Sequence, residues 1–214
     1  PAVLRAEKLS ELPALTEPTR ATTIDDVLTY ASIGITGTTY TTWTGKNGAS
    51  GAVYAGKSAG GNNAIQLNTD KSAGIVSTTS GGKIKQVTVT WNDNTTSPRT
   101  LRVYGSNTAY SDQSDLYGSS TWGELIGTIV YNTSGTTSTT LEITGDYDYV
   151  GVRADDKPLF LDSITFTWET EESTTDEYTV TAQSTNTSYG TIQAPASATV
   201  ASGAGTTFTA VPAN

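Results

Sequence analysis

The sequence predicts an all-β protein: an antiparallel jelly-roll sandwich followed by a partial small β repeat. Apolar residues alternate with hydroxyl-bearing ones at period two, most clearly where Val87, Val89 and Trp91 share one face of a strand and Thr88 and Thr90 share the other. About eight such runs are separated by turns of Gly, Asn, Asp and Ser, and no segment makes a convincing long helix. The composition agrees, because 21 glycines and a hydrophobic share of 35% suit short strands joined by many turns.

Residues 1–20, PAVLRAEKLSELPALTEPTR, lack the Gly/Thr texture of the rest. Their leucines at Leu9, Leu12 and Leu15 suit either a docked arm or a loose leader. The sandwich is expected over 21–169. IDDVLTY opens it as a strand or a short helix start, and AVYAGKSAGGNNAIQLN supplies two apolar runs around a Gly-Gly-Asn-Asn turn. Gly81 and Gly82 separate the next two runs. Leu101 and Val103, Ile126, Leu141 and Ile143, then Val150 and Val152 supply inward positions. In LFLDSITFTWE, Phe160, Ile164, Phe166 and Trp168 are expected on one face.

Residues 170–177 lie in an acidic, Ser/Thr-rich stretch with no apolar anchor, which reads as a solvated linker. A second β unit is expected over 178–214. Within it Thr206–Val211 reads as a strand with Phe208 and Ala210 on one face, and no partner strand follows it in the sequence. That suggests a chain cut inside a repeat, with an open edge after Thr209.

A net charge of -9 argues against nucleic acid and against anionic membrane surfaces. No apolar run is long enough to span a bilayer as a helix, and no secretion signal opens the chain, so export would imply a signal already removed. With no His and no Cys in the sequence, triads built on imidazole or thiolate are excluded. Carboxylate pairs drawn from Glu124, Glu142, Asp148 and Asp162 are better read as turn residues than as glycosidase machinery. The sequence therefore predicts a protein that is not an enzyme.

YTVTAQSTNTSYGTIQAPASATVASGAGTTFTAVPAN resembles the first two thirds of the bacterial internalin B-type repeat, with Gly190, Gly203, Thr207, Ala210 and Pro212 at its pattern positions. SGAVYAGKSAGGNNAIQL, GKIKQVTVTWNDNTTSPRTLRVYGSNTAY and DYDYVGVRADDKPLFLDSITFTW resemble a β-sandwich module of secreted and surface proteins of gut Bacteroidetes. This likeness covers about two thirds of the chain. It implies a secreted or cell-surface location and an accessory or structural role.

Jelly rolls of the carbohydrate-binding type, which the chain resembles, often hold a structural calcium between an early acidic residue and the last strand. The resemblance therefore makes Asp25, Asp26 and Asp162 the candidate metal ligands. A salt bridge to Arg153 or Lys157, or a backbone N–H, would serve Asp162 equally well. For ligand binding the candidates are Trp43, Tyr54, Tyr110, Tyr117 and Trp122, all in loop-like text. The apolar face of a pyranose stacks on such rings while neighbouring polar groups bond its hydroxyls. The same rings could instead close the ends of the sandwich, whereas Trp91 and Trp168 end strands on apolar faces and read as core. Two functions remain open at this point. One is an adhesive or glycan-binding module for a glycan or a host or bacterial surface ligand. The other is a filament subunit that self-associates through its N-terminal arm or by strand addition.

Overall fold

The computed structural model describes residues 21–133, 135–171, 177–183, 187–201 and 204–213. The N-terminal arm expected over 1–20, residues 172–176 of the acidic linker and Gly203 of the repeat pattern lie outside the described residues. The strands up to Glu171 belong to one compact unit, and those after it to a second.

The first unit opens with β1 (Ala21–Thr29), so IDDVLTY is a strand that ends in a single turn of helix, α1 (Tyr30–Ile33). Thr29 ends the strand because it caps the helix. Its Oγ1 accepts from Ser32 N at 3.1 Å and its own N–H donates to Ser32 Oγ at 2.8 Å, satisfying two orphan groups at once. Gly34 closes the turn at φ +75, a left-handed conformation open to glycine. There follow β2 (Gly37–Asn47), β3 (Val53–Gly60), β4 (Ile65–Leu67) and β5 (Gly74–Thr79). Next come β6 (Lys83–Trp91), β7 (Arg99–Ser106) and β8 (Glu124–Tyr131). The unit is completed by β9 (Ser138–Glu142), β10 (Tyr149–Ala154) and β11 (Leu159–Glu171).

Every pairing among these strands is antiparallel. One layer, called sheet A, runs β9-β6-β11, with β1 and β4 lying end to end along the far edge of β11. The other, sheet B, runs β8-β7-β10-β5-β3-β2. β3 joins the two through the Ala59–Gln66 pair. From β4 onward the chain changes sheet at every connection but one, which is the winding of a jelly roll.

The inner faces of the two sheets make one core. Trp168, Phe166, Tyr54, Leu101, Val103, Val150 and Val152 are all buried in it, and Tyr54 stacks on Phe166 at 5.1 Å between centroids. Trp91 and Trp168 are core residues, and Trp91 packs against Tyr131 at 5.2 Å. Each large side chain withdrawn from water in this way contributes roughly 1.5–3 kcal/mol. Ile126 and Leu141 only border the core, whereas Ile129 lies fully within it.

Phe160 departs from expectation. A β-bulge between Leu161 and Ser163 inserts one residue against β6, so Leu159 and Leu161 point inward before it and Ile164, Phe166 and Trp168 after it. The phase change leaves Phe160 half-buried on the opposite face and Asp162 exposed. β11 also runs past the expected boundary at 169, because Thr170 and Glu171 still pair with Thr22 and Ala21.

The second unit consists of two small ladders. β12 (Glu177–Thr181) pairs with β14 (Ser197–Ala201), and β13 (Gly190–Ile192) pairs with β15 (Ala210–Pro212). The strand expected over Thr206–Val211 thus begins only at Ala210, and it is partnered within the chain: Gly190 faces Pro212 and Ile192 faces Ala210. Its partner precedes it in the sequence instead of following it.

Candidate functional site

Alternation on sheet B sends Ala55, Val76, Tyr104, Tyr149, Gly151 and Arg153 to the outer face, away from the common core. On an open sheet such positions are usually polar and wet. Here a loop, residues 107–123, lies over them.

The loop holds its own shape. Asp112 Oδ1 accepts from Ser114 N at 2.7 Å and starts a 3-10 turn over Gln113–Tyr117. Asp115 Oδ2 accepts from Ser111 N at 2.6 Å, and Thr121 Oγ1 donates to the Asp115 carbonyl at 2.7 Å. Leu116 anchors the loop and is wholly buried against the sheet. It can do so because two strand positions beneath it are glycines: a Cβ on Gly151 would stand 2.5 Å from Leu116 Cδ2, and one on Gly74 2.9 Å from Cδ1. No other residue type leaves that notch open.

Around the Leu116 anchor the aromatic rings converge. Trp122 stacks on Tyr104 at 6.1 Å with an interplanar angle of 25°. The Arg153 guanidinium lies between two rings, its Cζ 5.6 Å from the centroid of Tyr104 and 4.8 Å from that of Tyr117. Arg153 Nε donates to the Tyr104 hydroxyl at 3.2 Å. The hydroxyl of Tyr110 donates to the Trp122 carbonyl and that of Tyr117 to the Ala73 carbonyl, each at 2.8 Å. Burial raises the Tyr110 phenol well above its ordinary range, with the Asp115 charge adding to the effect. Burial raises Tyr117 as well, against the opposing pull of the Arg153 cation. Both hydroxyls are therefore protonated donors at neutral pH.

Of the five expected ligand rings, three come together here. Tyr110 is buried and works as a strut under the loop, while Tyr117 and Trp122 are half-buried and present part of their rings to solvent. The other two are strand residues of the core, not loop residues. Trp43 in β2 donates its Nε1 to Ser58 Oγ at 2.9 Å, and Tyr54 in β3 is fully enclosed. Text rich in Thr and Gly around them concealed that both strands run through it. Tyr104, Tyr149 and Arg153 were missed, since each sits at an outward strand position where alternation predicts an unremarkable surface residue.

The carboxylates expected to bind calcium do not converge. Asp26 is buried on the inner side of β1, accepting from Ser50 N at 2.9 Å, Ser50 Oγ at 2.6 Å and the Tyr54 hydroxyl at 2.7 Å. Tyr54 in turn accepts from Trp168 Nε1 at 2.7 Å. Burial, together with this carboxylate, holds the Tyr54 phenol far above its usual range. Asp25 points to the opposite face of β1 and accepts from Thr167 Oγ1 at 2.6 Å. Asp162 lies five residues from Thr167 along β11, about 17 Å at the rise of an extended strand. It accepts from Asn92 Nδ2 at 2.6 Å, so its partner is an amide and neither Arg153 nor Lys157. Among the described residues no cluster of three or more acidic side chains forms a metal site.

No protein-family model matches the chain, and no curated protein matches it. Among solved structures it is similar to the K3 cleaved adhesin domain of Lys-gingipain from Porphyromonas gingivalis W83, at 12% identity and a TM-score of 0.31 over 66% of this chain and 90% of that one. The K1 cleaved adhesin domain of the same protein aligns at 12% identity and a TM-score of 0.29, covering 69% and 97%. BiXyn10A CBM1 in its apo form aligns at 14% identity and a TM-score of 0.29, covering 69% and 99%. Among the described residues no helix is long and apolar enough to cross a membrane.

Proposed function

We propose that the chain is a non-catalytic, secreted or cell-surface module that binds glycans through the outer face of sheet B. The observation that carries this reading is the pair of half-exposed rings, Tyr117 and Trp122, held at fixed positions over Tyr104 and Arg153 by the anchored 107–123 loop. Rings prevented from collapsing onto one another offer flat apolar faces to a pyranose, and the adjoining hydroxyl and guanidinium groups can bond its polar edge. Their positions are set before any ligand arrives, so little ordering entropy is lost on binding. The small second unit is read as part of an internalin B-type repeat, whose matched Gly190, Ala210 and Pro212 all fall in the β13–β15 ladder.

Binding of the full chain to an array of immobilised glycans tests the proposal. Retention of at least one glycan class is expected, with Tyr117→Ala and Trp122→Ala each costing about 1–3 kcal/mol of binding while a cooperative melt shows that the fold is retained. Absence of retention by any glycan, or variants that bind as well as the parent, would overturn it.

A further inference from the structure

The outer face of sheet B carries a row of cations that the acidic sequence conceals. Lys57 pairs with Gly74 across β3 and β5, and Arg153 pairs with Arg102 across β10 and β7. The pairing of Val152 with Ile75 places Gly74 beside Arg153, so Lys57, Gly74, Arg153 and Arg102 stand in one line across four strands. All four are outward positions, because Ile75, Val103, Val152 and Leu101 next to them face the core. At about 4.8 Å between strands, Lys57 and Arg153 originate roughly 10 Å apart, on either side of the Leu116 notch.

The charges in this row are unequally matched. Arg102 is held by Asp155 at 2.6 Å. Arg153 and Lys57 have no carboxylate within 4 Å among the described residues. Arg153 is only 8% exposed, and its neighbours are phenol rings and hydroxyls. A guanidinium this far withdrawn from water is costly, and cation–π contact offsets only part of the loss. An incoming anion would supply the rest. The acidic side chains of the overlying loop do not play that role: Asp112 and Asp115 are occupied by backbone N–H groups of their own turn.

We propose that the glycan taken by this face is anionic, a uronate-bearing or sulfated polysaccharide whose acidic group is received by Arg153 and Lys57. This rests on the glycan-binding reading above and narrows it. An acid beside a pyranose ring satisfies both halves of the site at once, ring on Tyr117 or Trp122 and anion on the cations, with charge-assisted hydrogen bonds that a neutral hydroxyl cannot match.

Titration calorimetry of the full chain separates the two levels. The probes are oligogalacturonate and its methyl ester, which share a skeleton and differ in charge, together with chondroitin sulfate and its desulfated form. We expect at least one acidic probe to bind about tenfold or more tightly than its neutral counterpart or desulfated form, and to weaken as salt rises. The loss of charge that weakens binding assigns the acid: methyl esterification of oligogalacturonate marks a carboxylate, and desulfation of chondroitin sulfate, which keeps its uronates, marks a sulfate. Arg153→Gln should weaken that binding about tenfold and Lys57→Gln about fivefold, whereas Lys83→Gln on sheet A should not. Because Arg153 is buried, Lys57→Gln keeps the test valid if the Arg153 variant fails to fold. Equal binding of the acid and neutral forms, or an equal effect of Lys57→Gln and Lys83→Gln, would overturn this inference and leave the glycan-binding reading standing. Failure of these probes alongside retention of a neutral glycan on the array would do the same. No binding to any glycan would overturn both.

Discussion

The two outer faces of the sandwich are made by the same alternation and differ in nearly everything else. On sheet A, side chains match across four strands in three rows: Asp25, Thr167, Gln86 and Glu142; Val27, Thr165, Thr88 and Thr140; Thr29, Ser163, Thr90 and Ser138. They bond laterally, Thr88 to Thr140 at 2.8 Å, Thr167 to Asp25 and Gln86 to Glu142 at 2.6 Å. On sheet B the corresponding rows are interrupted by Gly74 and Gly151, and a second layer of chain fills the gap they leave. Side chains bonded to one another in the plane of the sheet have less left to offer a ligand. A face with glycines in it admits a loop, and the loop can hold rings and a cation where a flat sheet could not. The difference between a flat face and one that carries a loop thus lies in two missing side chains more than in the aromatic content itself.

The largest test of that contrast removes the anchor. Leu116→Ala should destabilise the protein by about 3 kcal/mol, the range for a fully buried leucine, and should abolish glycan binding because the loop no longer holds its rings. Denaturant melts and the glycan array read both effects, and a variant that keeps binding would show that the loop is held by other means.

A smaller effect is expected from alkali. Tyr110 keeps its proton in the folded state above the pH at which an unfolded tyrosine releases it, so the folded state binds more protons and stability falls as pH rises past about 10, by up to about 1.4 kcal/mol per pH unit. Below that pH the contribution is fully present. Melts between pH 9 and pH 11 should therefore decline less steeply in Tyr110→Phe than in the parent, and identical slopes would place the sensitivity elsewhere. The threonine rows of sheet A have no group that titrates in this window.

Smaller again are changes on sheet A. The exchange of both Thr88 and Thr165 for Val should alter stability by no more than about 0.5 kcal/mol and leave glycan binding untouched. A marked loss of binding would move the receptive face to the other side of the molecule. Calcium is expected to do least: Asp25 and Asp162 stand far apart on β1 and β11, and Asp26 is enclosed with its three donors, so millimolar calcium should leave the melting temperature of chelator-treated protein unchanged. An upward shift would reveal a site made by other residues.

Much of the architecture was legible in the sequence because period two is a local property. Val87, Val89 and Trp91 face the core and Thr88 and Thr90 face the other way as their spacing requires, and the Gly81-Gly82 pair falls between β5 and β6. The same reasoning failed at Phe160, since a bulge is decided by how β11 meets β6 and leaves no mark in β11 alone. It failed for Trp43, where the threonine-rich strand β2 reads as a loop, and for Tyr54, whose strand β3 is interrupted by glycines. Asp25 and Asp26 are adjacent in sequence and opposite in fate: neighbours on a strand point to opposite faces, and the sequence does not say which faces inward.

What the sequence determined by itself is most of the strands of the sandwich, the inward half of most of those, and the absence of imidazole and thiol chemistry; these follow from residue type and spacing over a few positions. Only the tertiary structure decided that Tyr117 and Trp122 would meet Tyr104 and Arg153, and that Lys57 would share a line with two arginines from β10 and β7. Those groupings depend on register between strands far apart in the chain. Register is settled by the joint packing of both sheets, because a slip of one residue would turn every inward side chain out, and no short stretch of sequence contains that information.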